Sequence, residues 1–230
     1  EDGLVGRIME KTTFDTENHK FDLSFQVQLP DEWDPNIAKK NVGISAVVET
    51  DVCNPKWLEA INTMDHVIVP TYHVKQTIEN TGSTDTPVHV IPECYIESID
   101  DPSIEPLSLN GVDTNFNFLI VGQFTGDDPW NDRKNIFFTV KWFCETFANE
   151  PDVGLIVKVN HGRATMIDRK LTKNTMKHLI SETRSGPFPR IHVVHGSLSP
   201  EEMAGLYKRD DVKCLISLTR GEGFGLPLLE

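Results

Sequence analysis

The chain has 230 residues, which is enough for one large domain or two of ordinary size. Its 38% hydrophobic content, with twelve Phe and four Trp, excludes a disordered chain. The formal net charge of -13 argues against a nucleic-acid partner and against an anionic membrane, because both need a basic surface. Residues 1–110 contain 7 Lys/Arg and 20 Asp/Glu, whereas residues 111–230 contain 15 of each. This asymmetry predicts two domains with different roles.

Cysteine usage and hydropathy predict the compartment. The four cysteines lie far apart without a C-x-x-C pair, and no apolar run is long enough to span a bilayer. Cys144 and Cys214 fall within apolar runs, where a thiol acts as a small core side chain. These features predict a reduced, cytoplasmic location.

The first half alternates strand patterns with helical patterns. Leu23, Phe25 and Val27 alternate with polar residues, as in a strand. The helical pattern "PKWLEAINTM" places a proline near its start and apolar residues at helical spacing. The predicted strands are 21–30, 41–51, 66–71 and 87–93, and the predicted helices are 55–64 and one from about Val74.

The second half repeats this rhythm after an aperiodic linker at 100–113. Ser199 is placed to cap a helix whose first residue is Pro200. Helices of this length between strands indicate parallel sheets, so the fold class is α/β with two Rossmann-like domains, 1–108 and 109–230. The predicted strands are 115–124, 153–160, 190–196 and 212–219, with helices at 133–147, 166–182 and 199–207.

Candidate ligand-binding segments follow three strands of the second domain. Ligands of open parallel sheets bind at the carboxyl ends of the strands. The segment "GQFTGDDPWNDRKN" follows the first strand, Lys158 lies in the second, and "LTRGEGFGLPLLE" follows the last. The glycines of that last loop allow close approach of main-chain amides to a ligand, and Pro227 suits the start of a helix whose N–H groups attract phosphate. Arg133, Lys134 and Lys158 would supply countercharge.

Two carboxylates, Glu222 and Glu230, bracket this glycine loop. In a phosphate site they are explained if their oxygens accept hydrogen bonds from hydroxyl groups, such as those of a sugar or a ribose. For Glu230 alone, ordinary capping in the first turn of a helix is the competing explanation. The chain lacks G-x-G-x-x-G and G-x-x-x-x-G-K-[ST], which argues against a dinucleotide dehydrogenase and a P-loop NTPase.

These motifs resemble glycosyltransferase family 4, the retaining enzymes of the GT-B fold. Glu222 and Glu230 match its E-x7-E signature around "GFGLPLL", and "RKNI", "VPTYHVKQTIENTG" and "VHVIPE" are similar to other family segments. The stretch "ETDVCNPKWLEAINTMDHVIVPT" resembles one subgroup, and the resemblance spans about residues 20–230. Family members have further structure before and after such a region. The resemblance therefore implies a fragment in which both domains are truncated and whose own activity is open.

The resemblance implies retaining transfer of a sugar from a nucleotide-sugar donor to a glycan, lipid or small-molecule acceptor, without a cofactor or metal. Peripheral membrane contact of the full-length enzyme and the oligomeric state stay open. Glu222 would hold donor-sugar hydroxyls, and Glu230 the ribose. Arg133 or Lys134, with Lys158, would stabilise the leaving diphosphate. The amides of Gly223, Phe224, Gly225 and Leu226 would face the sugar and diphosphate, and His195, Gly196 and Ser197 are candidates for the base.

The sequence departs from the family pattern at two positions. Gln123 stands where many members have an arginine, which leaves Arg133 and Lys134 as substitutes. Where many members have an acceptor-side histidine, this chain has Glu49 and Asp51, which either orient the acceptor hydroxyl or cap a strand.

Three histidines have weaker assignments. His66 and His73 are interpreted as edge or surface histidines, and His161 as a neighbour of the ligand. Two other functions stay open for the chain: a non-catalytic nucleotide-sugar or glycan-binding GT-B remnant, and another GT-B enzyme such as a sugar-nucleotide epimerase.

Overall fold

The structure, a computed structural model, describes residues 4–12, 20–47, 50–126, 128–162 and 165–230. It divides into two compact units, Glu1–Glu93 and Cys94–Glu230. The sequence-based boundary lies between residues 108 and 109. The two boundaries differ because the segment between them belongs to the second unit, where Leu107 packs against the core cluster of Leu119, Ile156 and Leu206. Leu107 also donates its backbone N–H to the carbonyl of Gly205, at 2.9 Å.

The first unit contains a parallel sheet and three helices. Its strands are β1 (Phe21–Val27), β2 (Ala38–Ile44), β3 (His66–Val69) and β4 (Val88–Val90), and its helices are α1 (Leu4–Lys11), α2 (Lys56–Ile61) and α3 (Tyr72–Thr81) among the described residues. The strand order is β1-β2-β3-β4. Thr71 caps α3 by accepting from the backbone N–H of Val74.

The second unit contains another parallel sheet. Its strands are β5 (Phe116–Gln123), β6 (Val153–Asn160), β7 (Arg190–His195) and β8 (Val212–Leu215), and its helices are α4 (Ile136–Thr146), α5 (Met166–Thr183), α6 (Pro200–Tyr207) and α7 (Leu226–Leu229). The strand order is β7-β6-β5-β8: the chain steps from β5 outward to β6 and β7, then returns to add β8 on the other side of β5.

In the first unit, one face of the sheet packs against the core. Val67 and Val69 of β3 are fully buried there with Trp57 of α2 and Ile78 of α3. The steps from β1 to β4 all run in one direction, so right-handed crossovers place α2 and α3 on the same face. That face receives the polar side of β1.

The apolar side of β1 faces outward, which its alternating pattern does not predict. Phe25 is 60% exposed and Val27 is 76% exposed, whereas Gln26 is only 7% exposed. The Gln26 carboxamide bonds the backbone of Asp34 in both directions, at 2.8 Å each. Alternation therefore identified the strand but not its buried face, because the crossovers decide which face receives a core.

In the second unit, side chains pack on both faces of the sheet. Leu155 and Val157 lie on the α4 and α5 side, and Leu119 and Ile156 lie with Leu206 on the α6 side. Burial on both faces explains the continuous apolar runs of β5 and β6. Strand β6 occupies the predicted residues 153–160, and α5 begins at Met166 as predicted.

Other local predictions differ from the structure. Helix α1 was not predicted, β2 begins three residues before its predicted start, and Cys214 is exposed rather than in the core. Cys214 lies on β8, an edge strand of its sheet. Cys144, in contrast, is buried as predicted.

Helix α6 begins with the predicted cap. The Ser199 hydroxyl accepts from the backbone N–H of Glu202, and the Glu202 carboxylate accepts from the N–H of Ser199 at 2.8 Å. Ser199→Ala is expected to lower the free energy of unfolding by about 1 kcal/mol, because one N–H of the first turn loses its acceptor. Urea denaturation measures this loss. Ser197→Ala, just outside the helix, is the control; an equal loss there would contradict the capping role.

Candidate functional site

The loops after β5 and β8 meet where the chain reverses its direction of travel across the second sheet. The chain runs from β5 outward to β6 and β7 and then crosses back to place β8 on the other side of β5. A crevice forms at the carboxyl ends of strands at such a point, and ligands of α/β proteins bind there. Both segments selected from the sequence, residues 122–135 and 218–230, lie at this position.

A buried carboxylate organises the loop after β5. Asp132 is 0% exposed. One of its oxygens accepts from the N–H and hydroxyl of Thr125, at 3.2 and 2.9 Å, and the other accepts from the N–H of Ile136 at 2.7 Å. Asp132 therefore holds the start of the loop and the first N–H of α4 together, with Arg133 and Lys134 between them.

Hydrogen bonds join this loop to the loop after β8. The backbone N–H of Arg220 donates to the carbonyl of Arg133 at 2.9 Å, and the Arg133 guanidinium donates to the carbonyl of Gly221 at 2.7 Å. Asn135, in the left-handed conformation with φ 57°, donates its amide to the carbonyl of Leu218 at 2.9 Å. These bonds place Arg133 and Lys134 directly beside Glu222.

Lys134 and Glu222 form the central ion pair of the site. The Lys134 ammonium donates to both carboxylate oxygens of Glu222, at 2.7 and 2.8 Å. Arg133 Nη1 lies 3.8 Å from the same carboxylate. The side chains of Lys134 and Glu222 are 18% and 21% exposed, so solvent screens the pair only in part. A diphosphate that binds Lys134 must therefore compete with Glu222.

Lys158 is a buried cation in the strand next to β5. It pairs with Val121 of β5, and the residue is only 5% exposed. Its ammonium donates to the side-chain carbonyl of Asn160 at 3.2 Å. Burial lowers the pKa of Lys158, because desolvation disfavours the charged ammonium. A neighbouring anion would offset that cost, which makes this position suited to a phosphate.

The glycine loop itself is closed against β5. Gly225 has φ +81°, a conformation that favours glycine. Helix α7 is a single turn, so its dipole is small. Most of the positive charge that would balance a bound diphosphate must therefore come from side chains. The cavity between Val121, Glu222 and Pro227 holds about 10 Å³, the room of a single water molecule. The loop, with Gly223, Phe224 and Leu226, would have to open for a sugar.

A hydrogen bond from a residue of α6 fixes the Glu230 side chain. The phenol of Tyr207 donates to Glu230 Oε2 at 3.0 Å. Glu230 Oε1 is buried and, among the residues that the structure describes, has no hydrogen-bond partner. A buried acceptor without a donor is costly, so this oxygen is available to a hydroxyl group of a ligand.

The residues predicted to contact the nucleotide base follow β7, at the carboxyl-end edge of the second sheet but on the side of the sheet opposite to β8. Gly196 follows β7, has φ +121°, and precedes the exposed Ser197. Three strand spacings separate β7 from β8, or about 14 Å. Burial lowers the pKa of His195, and the ring of His161 packs 6.0 Å from that of Phe124. The structure thus places these residues at the same edge as Glu222 but not next to it.

The acceptor-side candidates belong to the first unit. Glu49 lies outside the described residues. Asp51 is exposed, and its backbone carbonyl accepts from the Asn80 amide at 3.0 Å. His66 and His73 are exposed, as predicted for surface histidines.

In the described ranges, no three His, Cys, Asp or Glu side chains converge as metal ligands. No helix within those ranges combines the length and the apolar character needed to cross a membrane.

Three residues of this site escaped the sequence analysis: Asp132, Asn135 and Tyr207. Asp132 and Asn135 carried a usable signal, since short polar residues directly before an apolar helix are typical of helix starts. Tyr207 carried none, because its partner lies 23 residues away.

Comparison with solved structures shows the fold. OtsA in its apo form aligns with a TM-score of 0.61 at 10% identity, over 97% of this chain and 56% of that one. A UDP-forming α,α-trehalose-phosphate synthase from Burkholderia xenovorans gives 0.59 and 12%, over 96% and 56%. The chain has the GT-B fold.

A third solved structure is also similar to this chain. Sucrose-phosphate synthase from Thermosynechococcus elongatus aligns with a TM-score of 0.56 at 15% identity, over 90% of this chain and 52% of that one. These neighbours are GT-B glycosyltransferases, and the chain spans about half of their length. No protein-family model and no curated protein matches the sequence.

Proposed function

We propose that the chain binds a nucleotide-sugar donor and takes part in retaining glycosyl transfer of the family 4 type. The observation that carries the proposal is the convergence of Arg133, Lys134 and Glu222 at the reversal point of the second sheet, with Lys158 in the adjacent strand. This set combines cations for a diphosphate with a carboxylate that can accept sugar hydroxyls.

In the proposed mechanism, the bond between the sugar and the diphosphate breaks and negative charge develops on the diphosphate. Arg133, Lys134 and Lys158 stabilise that charge, so the cations take the role that a metal plays elsewhere. When Lys134 turns to the phosphate it releases Glu222, whose oxygens then accept donor-sugar hydroxyls. The ligand thereby replaces an ion pair within the protein, and the amides of residues 223–226 line the sugar.

The remaining assignments are part of the same proposal. Glu230 accepts from the ribose, and Gly196 and Ser197 lie towards the base. The acceptor is a glycan, a lipid or a small molecule, and Glu49 or Asp51 orients its hydroxyl. The proposal also includes a cytoplasmic location and a reaction that uses neither a metal nor a cofactor.

Donor binding without transfer is the second candidate function. All the donor-side residues belong to the unit Cys94–Glu230, which could hold a nucleotide sugar by itself. Transfer additionally requires an acceptor site.

Calorimetric titration of UDP, GDP and ADP, each with and without an attached hexose, tests the proposal. One base is expected to bind, and the hexose should improve affinity. Glu222→Gln should remove that improvement, about 10-fold, because a neutral amide accepts sugar hydroxyls more weakly than a carboxylate. The same variant should bind the plain diphosphate at least as well, because Lys134 is released.

Glu182→Gln is the matched control. Glu182 also contacts a basic side chain, since its carboxylate lies 3.3 Å from His178 Nε2, but on the exposed side of α5. It should leave every affinity unchanged. Absence of binding by all three diphosphates would refute the donor site, and an intact hexose preference in Glu222→Gln would refute the role of Glu222.

A further inference from the structure

Tyr207 ends α6, and its half-buried ring packs against the core while its hydroxyl faces the site. The ring packs against the cluster of Leu119, Ile156 and Leu206, which fixes the position of the phenol. Its hydroxyl donates to Glu230 Oε2 at 3.0 Å. An aromatic ring packed against the core therefore supports a carboxylate on the loop side of the sheet.

The electrostatics keep this phenol a donor. Burial, followed by the charge of Glu230 and its hydrogen bond, raises the pKa of Tyr207 far above that of an exposed phenol. The group stays protonated throughout the physiological range. The polarity of the bond is therefore fixed: Tyr207 donates and Glu230 accepts.

The bond leaves the two oxygens of Glu230 in different situations. Oε2 is taken by Tyr207, whereas Oε1 is buried and finds no donor in the described part of the protein. A carboxylate held through one oxygen cannot rotate freely, so the open oxygen keeps a constant direction. This arrangement suits one hydroxyl donor from a ligand.

We propose that Tyr207 is a positioning residue that makes the site selective for ribonucleotides over dideoxynucleotides. It orients Glu230 so that Oε1 accepts a ribose hydroxyl, and the selectivity arises because a dideoxyribose leaves that buried oxygen without a donor. The inference rests on the proposed donor function and on the ribose assignment of Glu230. It adds a residue and a specificity that the E-x7-E motif does not contain.

The experiment compares the tightest-binding of UDP, GDP and ADP with its 2′-deoxy, 3′-deoxy and 2′,3′-dideoxy forms by calorimetry. The unaltered chain should prefer the ribonucleotide over the dideoxynucleotide by about 10-fold or more. Tyr207→Phe should reduce that preference to roughly 3-fold or less, because Glu230 can now rotate, while the affinity for the dideoxynucleotide stays the same. The preference of the unaltered chain should not change between pH 6 and 9.

Two further variants keep the test decisive. Glu230→Gln should also lose the preference, and adding Tyr207→Phe to it should cost nothing more, because both act through one hydrogen bond. Tyr95→Phe is the matched control: its hydroxyl donates to the Asp100 carboxylate elsewhere in the same unit, and its removal should change no affinity.

Four outcomes would overturn the inference. Tyr207→Phe could keep the full ribose preference, or it could weaken all four ligands equally, which indicates a structural role only. If the diphosphates bind in a Glu222-dependent manner but without any ribose preference, the inference fails and the proposed function stands. If no nucleoside diphosphate binds, both fail together.

Discussion

Lys158→Met is expected to make the protein more stable and, at the same time, to remove most of its affinity for nucleoside diphosphates. Lys158 is 5% exposed, and burial lowers its pKa, so the native state bears a desolvated ammonium. Methionine has a similar length and no charge. The free energy of unfolding should rise by roughly 1–3 kcal/mol. Affinity should fall on the order of 10- to 100-fold, because a charge-assisted phosphate contact is lost.

The pH dependence of stability gives an independent check. Because the native pKa of Lys158 lies below the ordinary value of 10.5, the native state binds fewer protons than the unfolded state between those two values. Stability of the unaltered chain should therefore gain from this group as the pH rises through that window, and Lys158→Met should lack the gain. Lys170→Met, on the exposed face of α5, is the control for both the free energy of unfolding and the diphosphate affinity. A less stable Lys158→Met variant with normal affinity would contradict the assignment.

Asp132→Ala is expected to destabilise the second unit more than any other single change in the site. The variant leaves the N–H groups of Thr125 and Ile136 and the Thr125 hydroxyl without their acceptor. Loss of hydrogen bonds to a buried carboxylate should lower the free energy of unfolding by roughly 2–4 kcal/mol, measurable by urea denaturation. Diphosphate affinity should fall too, because Arg133 and Lys134 lose their support.

A nearby aspartate provides the control for this change. Asp128 also accepts from backbone N–H groups, those of Trp130 and Asn131, but in an exposed turn. Asp128→Ala should have a much smaller effect on unfolding. Asp132→Asn should lie between the unaltered chain and Asp132→Ala, because the amide retains one acceptor oxygen. Equal losses for Asp128→Ala and Asp132→Ala would contradict the anchoring role.

The sequence predicted the fold best where both faces of a strand are buried. Strand β6 and helix α5 were located to within a residue, because a continuous apolar run and a capped helix carry their information locally. The exposure of Phe25 and Val27 on β1 was not predictable in this way. It depends on the direction of the crossovers, which is a property of the whole sheet.

The candidate site was also predictable only in part. The rule that ligands bind at the carboxyl ends of strands correctly brought Lys134 and Glu222 to one place, although 88 residues separate them. The rule predicts which residues lie close together but not which of their side chains form pairs. That Lys134 binds Glu222, and that Tyr207 binds Glu230, depends on side-chain directions set by packing in three dimensions. The roles of these residues in donor binding remain predictions.

A crystal structure of the chain with its preferred nucleoside diphosphate is the most direct test of the donor site. The account predicts the diphosphate at the carboxyl ends of β5 and β6, with phosphate oxygens about 3 Å from the Lys158 and Lys134 ammonium groups and the Lys134–Glu222 pair opened. Two cavities of about 460 Å³ each lie instead along α5 beside Lys173. A diphosphate bound there, with Lys134 still held by Glu222, would contradict the account.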